Sequence, residues 1–181
     1  PVGLGSTQAV SAVKWVLREA GFWPKIKADR PKVGHGGTLD PLASGVLPIA
    51  LGEATKLTGR LLDASKVYDF TVAFGVETDT FDAEGQGIET SDVRPSLASI
   101  KAALPDFTGA IEQIPPAYSA LKIDGRRAYD RARSGEAVEM KARGVTIHEL
   151  AVATWSGEDS ALESITLTAH VSKGTYIRSL A

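Results

Sequence analysis

The chain has no cysteine among its 181 residues, which removes disulfides and cysteine-ligated metal sites together. It also lacks a long hydrophobic run. The longest, Val46 to Leu51, falls far short of the ~20 apolar residues a membrane helix needs. Pro1-Val2-Gly3 has neither the charged nor the apolar region of a signal peptide. A charge excess is missing too: the formal net charge of −2 does not announce a nucleic-acid binder. The three histidines, His35, His148 and His170, are not at metal-ligand spacing, so no metal is expected. What remains is an ordinary hydrophobic content of 43%, enough for one good core or for one domain with a small insertion. The expected setting is the cytoplasm. The opening at Pro1 and the stop at Ala181, within what reads as a starting helix, lead us to expect a fragment.

The near-neutral total conceals an uneven distribution. Lys14 to Lys32 carries six basic residues (Lys14, Arg18, Lys25, Lys27, Arg30 and Lys32) against two acids. Lys122 to Arg143 carries seven, including Arg126, Arg127, Arg131 and Arg133, against four. Glu77 to Asp92 holds six acids and no base. Two basic surfaces and one acidic one are compatible with phosphate contact, and so are ordinary solvated faces.

Periodicity predicts an α+β fold with a mixed, largely antiparallel sheet and flanking helices. Ser6 is placed to cap a helix running to about Ala20, where Gly21 stops it, with Val10, Val13, Val16 or Leu17, and Ala20 as its apolar stripe. Val46 to Leu51, with Pro48 inside it, reads as a buried strand with a bulge or an edge position. Glu53 to Leu62 reads as a short helix with Ala54, Leu57 and Leu61 inward, weakened by Gly59. Val67 to Gly75 alternates, with Tyr68, Phe70, Val72 and Phe74 on its core face. Ser96 caps a helix to about Leu104, ended by Pro105. Gly125 to Gly135 gives a short basic helix between glycines. Val145 to Trp155 and Leu162 to Val171 form an antiparallel hairpin.

The stretch Gly34-His-Gly-Gly-Thr-Leu-Asp-Pro-Leu-Ala-Ser-Gly45 holds one acid, Asp40. Glycines on one side and Pro41 on the other turn and stiffen the backbone, so the carboxylate is held in one direction. Local features leave two readings open, a functional carboxylate and a tight turn bonded by its own aspartate. Other catalytic patterns fail. Ser44 lacks a nucleophile elbow, because Leu42 stands at the first glycine. Gly34, Gly36 and Gly37 lack the last glycine of a dinucleotide fingerprint, which is Leu39 here. Ser11 and Lys14 have dyad spacing without the accompanying motifs. Glu77 to Gly87 fails as a calcium loop, with Thr80 at its first position and Ser91 at its last.

The run through Asp40, continuing into Gly52-Glu-Ala-Thr-Lys-Leu57, resembles the catalytic motif of the TruB family, the bacterial tRNA pseudouridine-55 synthases. Lys66-Val67-Tyr68, Thr78 to Gly85, Gln113 to Lys122 and Ser172-Lys-Gly-Thr-Tyr-Ile-Arg178 are similar to further stretches of that family, so the likeness covers nearly the whole chain. It implies the pseudouridine synthase catalytic fold over residues 1–181, incomplete at the C-terminus and without the family's C-terminal RNA-binding domain. It implies isomerisation of uridine 55 in the tRNA T-loop with Asp40 as nucleophile, Arg178 as its ionic partner from across a cleft, and no cofactor. Tyr68 would stack on the flipped base, His35 would fill the space vacated in the RNA, and Tyr176 would meet the base or ribose. Residues 122–143 would form an insertion gripping the T-arm, with Arg126, Arg127, Arg131 and Arg133 on phosphates. The expected partner is tRNA alone, met by a monomer. A tRNA-binding or folding module without significant turnover is the competing class.

Overall fold

The computed structural model describes residues 2–181, and the chain divides into two compact units, Pro1–Ala64 and Ser65–Ala181.

The first unit opens with helix α1, Ser6–Glu19. Its N-cap is Gly5, whose N–H donates to the Gln8 side chain at 2.9 Å, so Ser6 is the first helical residue and not the expected cap. Gly21 ends the helix as anticipated. At φ 76° it adopts the left-handed conformation, donating to Arg18 O while Phe22 donates to Leu17 O, the paired closure that left-handed glycine permits. Val10, Val13 and Leu17 form the inner stripe, while Val16 and Ala20 are exposed.

Strands β1 (Val33–His35) and β2 (Ile49–Leu51) pair antiparallel, Val33 with Leu51 and His35 with Ile49. The strand expected from Val46 therefore starts only after Pro48, and Val46 is 88% exposed. Proline has no N–H for a ladder, and its carbonyl accepts from Gly36 N at 2.9 Å to close the pair. The expected helix over 53–62 is a 3-10 segment, Gly52–Leu57, followed by helix α2, Thr58–Asp63. Ala54 and Leu57 face solvent, and Thr55 and Thr58 turn inward instead. Their hydroxyls donate to Gly52 O and Thr55 O, which favours the tighter winding.

The second unit contains strands β3 (Lys66–Ala73), β4 (Val76–Thr78) and β5 (Gly87–Thr90), helix α3 (Leu97–Ala103), strand β6 (Gly109–Gln113), strands β7 (Lys122–Ile123) and β8 (Arg126–Arg127), helix α4 (Ala128–Arg133), and strands β9 (Arg143–Glu158) and β10 (Ala161–Val171). The main sheet runs β3-β10-β9-β6, and every ladder among the described residues is antiparallel. β3 alternates as predicted, with Tyr68, Phe70 and Val72 on its inner face.

The hairpin β9–β10 carries three register shifts, and each resets which side chains face inward. After Leu162 the inward set moves to Ile165, Leu167, Ala169 and Val171. Gly157, at φ 91°, makes the first shift feasible, since a Cβ there would lie 2.7 Å from both Ala161 O and Glu163 N. Ser96 caps α3 by accepting from Ser99 N at 3.1 Å. Leu97, Ile100 and Leu104 then join Leu162, Ile165 and Leu167 in one core cluster. Pro105 does not end the winding but sits in a 3-10 turn, Leu104–Phe107, where its missing N–H goes unused. A second cluster gathers Val145, Ile147, Ala169 and Val171 under Tyr68, Ile177 and Leu180.

Candidate active site

In the first unit, Asp40 lies on the long loop that joins β1 to β2, half-buried. Several hydrogen bonds fasten that loop. Gly36 N donates to Pro48 O at its base. Leu39 N donates to the Ser6 hydroxyl at 3.1 Å. Ala43 N donates to Asp40 O, closing a turn, and Gly3 N donates to Pro41 O at 2.6 Å. The residues flanking the carboxylate are thus tied to the start of α1, and Ser6, read from sequence as a cap, is a tether of this loop. Gly36 is closely packed: a Cβ would sit 3.3 Å from Leu61 Cβ, so a larger residue would need that side chain to give way. Gly37, at φ 151°, takes a conformation open chiefly to glycine.

His35 ends β1, and its Nδ1 contacts the Gly37 carbonyl. A carbonyl only accepts, so Nδ1 carries the proton and fixes the ring's tautomer and direction. A groove of about 430 Å³ beside it is lined by Thr7, Val10, Lys14, Val33, Gly34 and His35.

In the second unit, β10 ends at Val171 and the chain turns through Tyr176 into a 3-10 turn, Ile177–Ser179. Tyr176 is held on two sides. Its N–H donates to Gln113 Oε1 at 2.8 Å and its carbonyl accepts from Gln113 Nε2 at 2.9 Å, while the Arg143 guanidinium lies 4.9 Å from its ring centre. Arg178, with 13% of its side chain exposed, lies 3.6 Å from Asp82. It also donates to Thr80 O at 3.1 Å and Tyr118 O at 3.0 Å. Asp82 is itself ordered, accepting from the Thr80 hydroxyl and from Glu84 N. The acidic loop between β4 and β5 therefore supports Arg178. Tyr68 packs its half-buried ring on the second core cluster.

The basic insertion is a β7–β8 hairpin running into α4. Its turn places Asp124 and Gly125 at φ 50° and 82°, the pair of positive angles that a two-residue hairpin demands. Of its four arginines, Arg126 and Arg131 are each 2.9 Å from Glu136, and Arg131 also approaches Asp124. Arg131, then Ser134 and Arg126, hold the Glu136 carboxyl below the usual carboxylate range. Arg127 and Arg133 instead flank the Tyr129 ring at 5.8 and 5.6 Å. Tyr129 N donates to Ser119 O, tying α4 to the segment whose Tyr118 carbonyl receives Arg178. Among the described residues no cluster of three or more His, Asp or Glu is set to hold a metal, and no helix is long and apolar enough to cross a membrane.

Residues 25–177 match the family described as TruB family pseudouridylate synthase, N-terminal domain. The chain belongs to the TruB family. Its relatives include tRNA pseudouridine synthase B of Novosphingobium aromaticivorans, 64% identical over 181 residues, all of this chain and 58% of that protein. The enzyme of the same name from Zymomonas mobilis is 59% identical over 99% of this chain and 55% of its own length. The chain spans just over half the length of these two TruB relatives. Among solved structures it is similar to a chain in a crystal structure of a Cbf5-Nop10-Gar1 complex. There the TM-score is 0.64 and the identity 29%, over 99% of this chain and 40% of that one.

Gln113 and Asp82 fall inside stretches that resemble the family and Ser6 reads as a cap, but nothing in the sequence names the partners that they and Arg143 hold here. Each acts on the site through a partner at least 31 residues away, beyond the reach of local pattern.

Proposed function

We propose that this TruB chain carries the catalytic part of a tRNA pseudouridine synthase, an isomerase that converts uridine 55 of the T-loop to pseudouridine. The observation that carries the reading is the family match over 25–177 together with an aspartate on a loop fastened on both sides. In the reaction the bond from C1′ to N1 breaks, the base turns, and C1′ joins C5. The C5 proton leaves to solvent and N1 takes one up, so no redox partner is consumed.

Asp40 is the nucleophile that retains one fragment while the other rotates, as carboxylates do in glycosidases. Arg178, fixed by Asp82 and two carbonyls, supplies the cationic partner of that carboxylate, a role carried by the family likeness. The target nucleotide leaves its stack at a cost of a few kcal/mol, offset by an aromatic face at Tyr68. His35, with its tautomer set by Gly37, fills the vacated place in the RNA, and Tyr176 meets the base or ribose. Arg127 and Arg133 contact T-arm phosphates from the insertion over 122–143. Arg126 and Arg131 join them only by giving up Glu136. The protein works in the cytoplasm as a monomer on tRNA, with no cofactor and no protein partner.

Asp40→Asn is the discriminating variant. It removes the nucleophile and keeps the shape, so turnover falls at least a thousandfold, on the order seen when other enzymes lose a nucleophile, while the tRNA Kd changes little. Equal loss of both would contradict a nucleophile role for Asp40, and a wild type that binds tRNA without turnover would favour the tRNA-binding module.

A further inference from the structure

We infer that Gln113 is a positioning residue for Tyr176, acting with Arg143 as a two-point cradle. The inference rests on the reading that Tyr176 meets the target nucleotide. Gln113 and Arg143 are directly paired residues at the end of the β6–β9 ladder, and side chains directly opposite in an antiparallel pair project from the same face. Both reach the same short segment. Gln113 closes two hydrogen bonds on the Tyr176 backbone. Arg143 donates to the Gly174 carbonyl and covers the Tyr176 ring.

The chemistry of Gln113 suits this task. It is 4% exposed, and a buried amide is costly unless both its ends are bonded. Here the carbonyl end accepts from the one backbone N–H of Tyr176 and the amide end donates to the one carbonyl. No hydrophobic residue can do either, and glutamate can do only the first while ionised. The amide therefore sets the path of the backbone at Tyr176, two residues before Arg178. A TruB chain lacking it would keep its sheet and its basic surfaces but would hold the tyrosine loosely.

The test uses the full-length protein with Gln113→Met, Tyr176→Ala and the double variant. Single-turnover rates, tRNA Kd and amide hydrogen exchange are measured on each. The cradle predicts that Gln113→Met lowers the rate about tenfold or more with Kd unchanged, as expected for an interaction that matters in the transition state. It predicts that the double variant is no slower than Tyr176→Ala alone, because residues acting through one another are not additive. It also predicts faster exchange at the Tyr176 amide, with the β9–β10 amides still protected. Additive losses, or an unchanged Tyr176 amide, would overturn it. Exchange does not depend on turnover. An inactive wild type with the predicted exchange would therefore refute the proposed function and leave the positioning of Tyr176 standing.

Discussion

Arg178 is bound by a carboxylate and two backbone carbonyls, so its guanidinium uses several donors at once and its direction is set before any substrate arrives. Lysine has the charge but not the planar fork. Arg178→Lys should therefore lower turnover by about a hundredfold, in the range of a lost charge-stabilising donor, and leave tRNA affinity within a few-fold. Single-turnover rates beside a filter-binding titration would check this, and an unchanged rate would show that charge alone suffices. The resemblance singled out Arg178 in the sequence and gave it Asp40 as its ionic partner. The identity of its partners in this unit was not legible there. Asp82 is one acid among six in its segment, and carbonyls have no sequence signature. Ser6 shows the same boundary. A serine before a helical stripe reads as a cap, yet Gly5 with Gln8 caps the helix and leaves the hydroxyl to hold Leu39 N.

At the scale of elements, the basic insertion divides its arginines into two kinds. Arg126 and Arg131 share Glu136, with Asp124 also near Arg131, while Arg127 and Arg133 lie against Tyr129. Each phosphate that a protein cation neutralises adds about 0.9 to the steepness of log K against log salt for a duplex. Arg127→Gln or Arg133→Gln should then flatten the slope for tRNA by close to that amount, and Arg131→Gln by much less. Binding measured over a series of salt concentrations decides the matter, and equal effects from all three would contradict the division. Residue counts located the patch, but the pairing within it depends on the turn at Ser134-Gly135 that ends α4, with Gly135 at φ 77° and Glu136 N donating to Arg131 O, which brings Glu136 back to two arginines. The main strands were readable because one face of each is buried. β10 lost its alternation at one point, where the register shift after Leu162 moves the inward set by one residue, and Gly157 across the hairpin is the one residue type that hints at it. Leu162, fully buried at the first of these shifts, should cost about 2–5 kcal/mol when truncated to alanine, as read by urea denaturation. A loss under ~1 kcal/mol would mean that the hairpin tip does not anchor α3.

Across the whole molecule a net charge of −2 coexists with segregated basic segments, and a polyanion responds to the local field and not to the total. The α+β class and the TruB membership were both legible in the sequence, the first from periodicity and the second from motifs spread from Gly34 to Arg178. What no pattern supplied was the means by which each unit readies its own residues: a loop fastened around Asp40 in one, a cradle at Tyr176 and Arg178 in the other. The central claim is the isomerisation itself, and joining C5 to the sugar must expel the hydrogen at C5. The most direct measurement is tritium release from C5-labelled uridine in an unmodified tRNA, using the full-length protein beside its Asp40→Asn variant. The account predicts release approaching one equivalent per tRNA with the native protein and none above background with the variant. No release from the native protein, with tRNA bound, would contradict it.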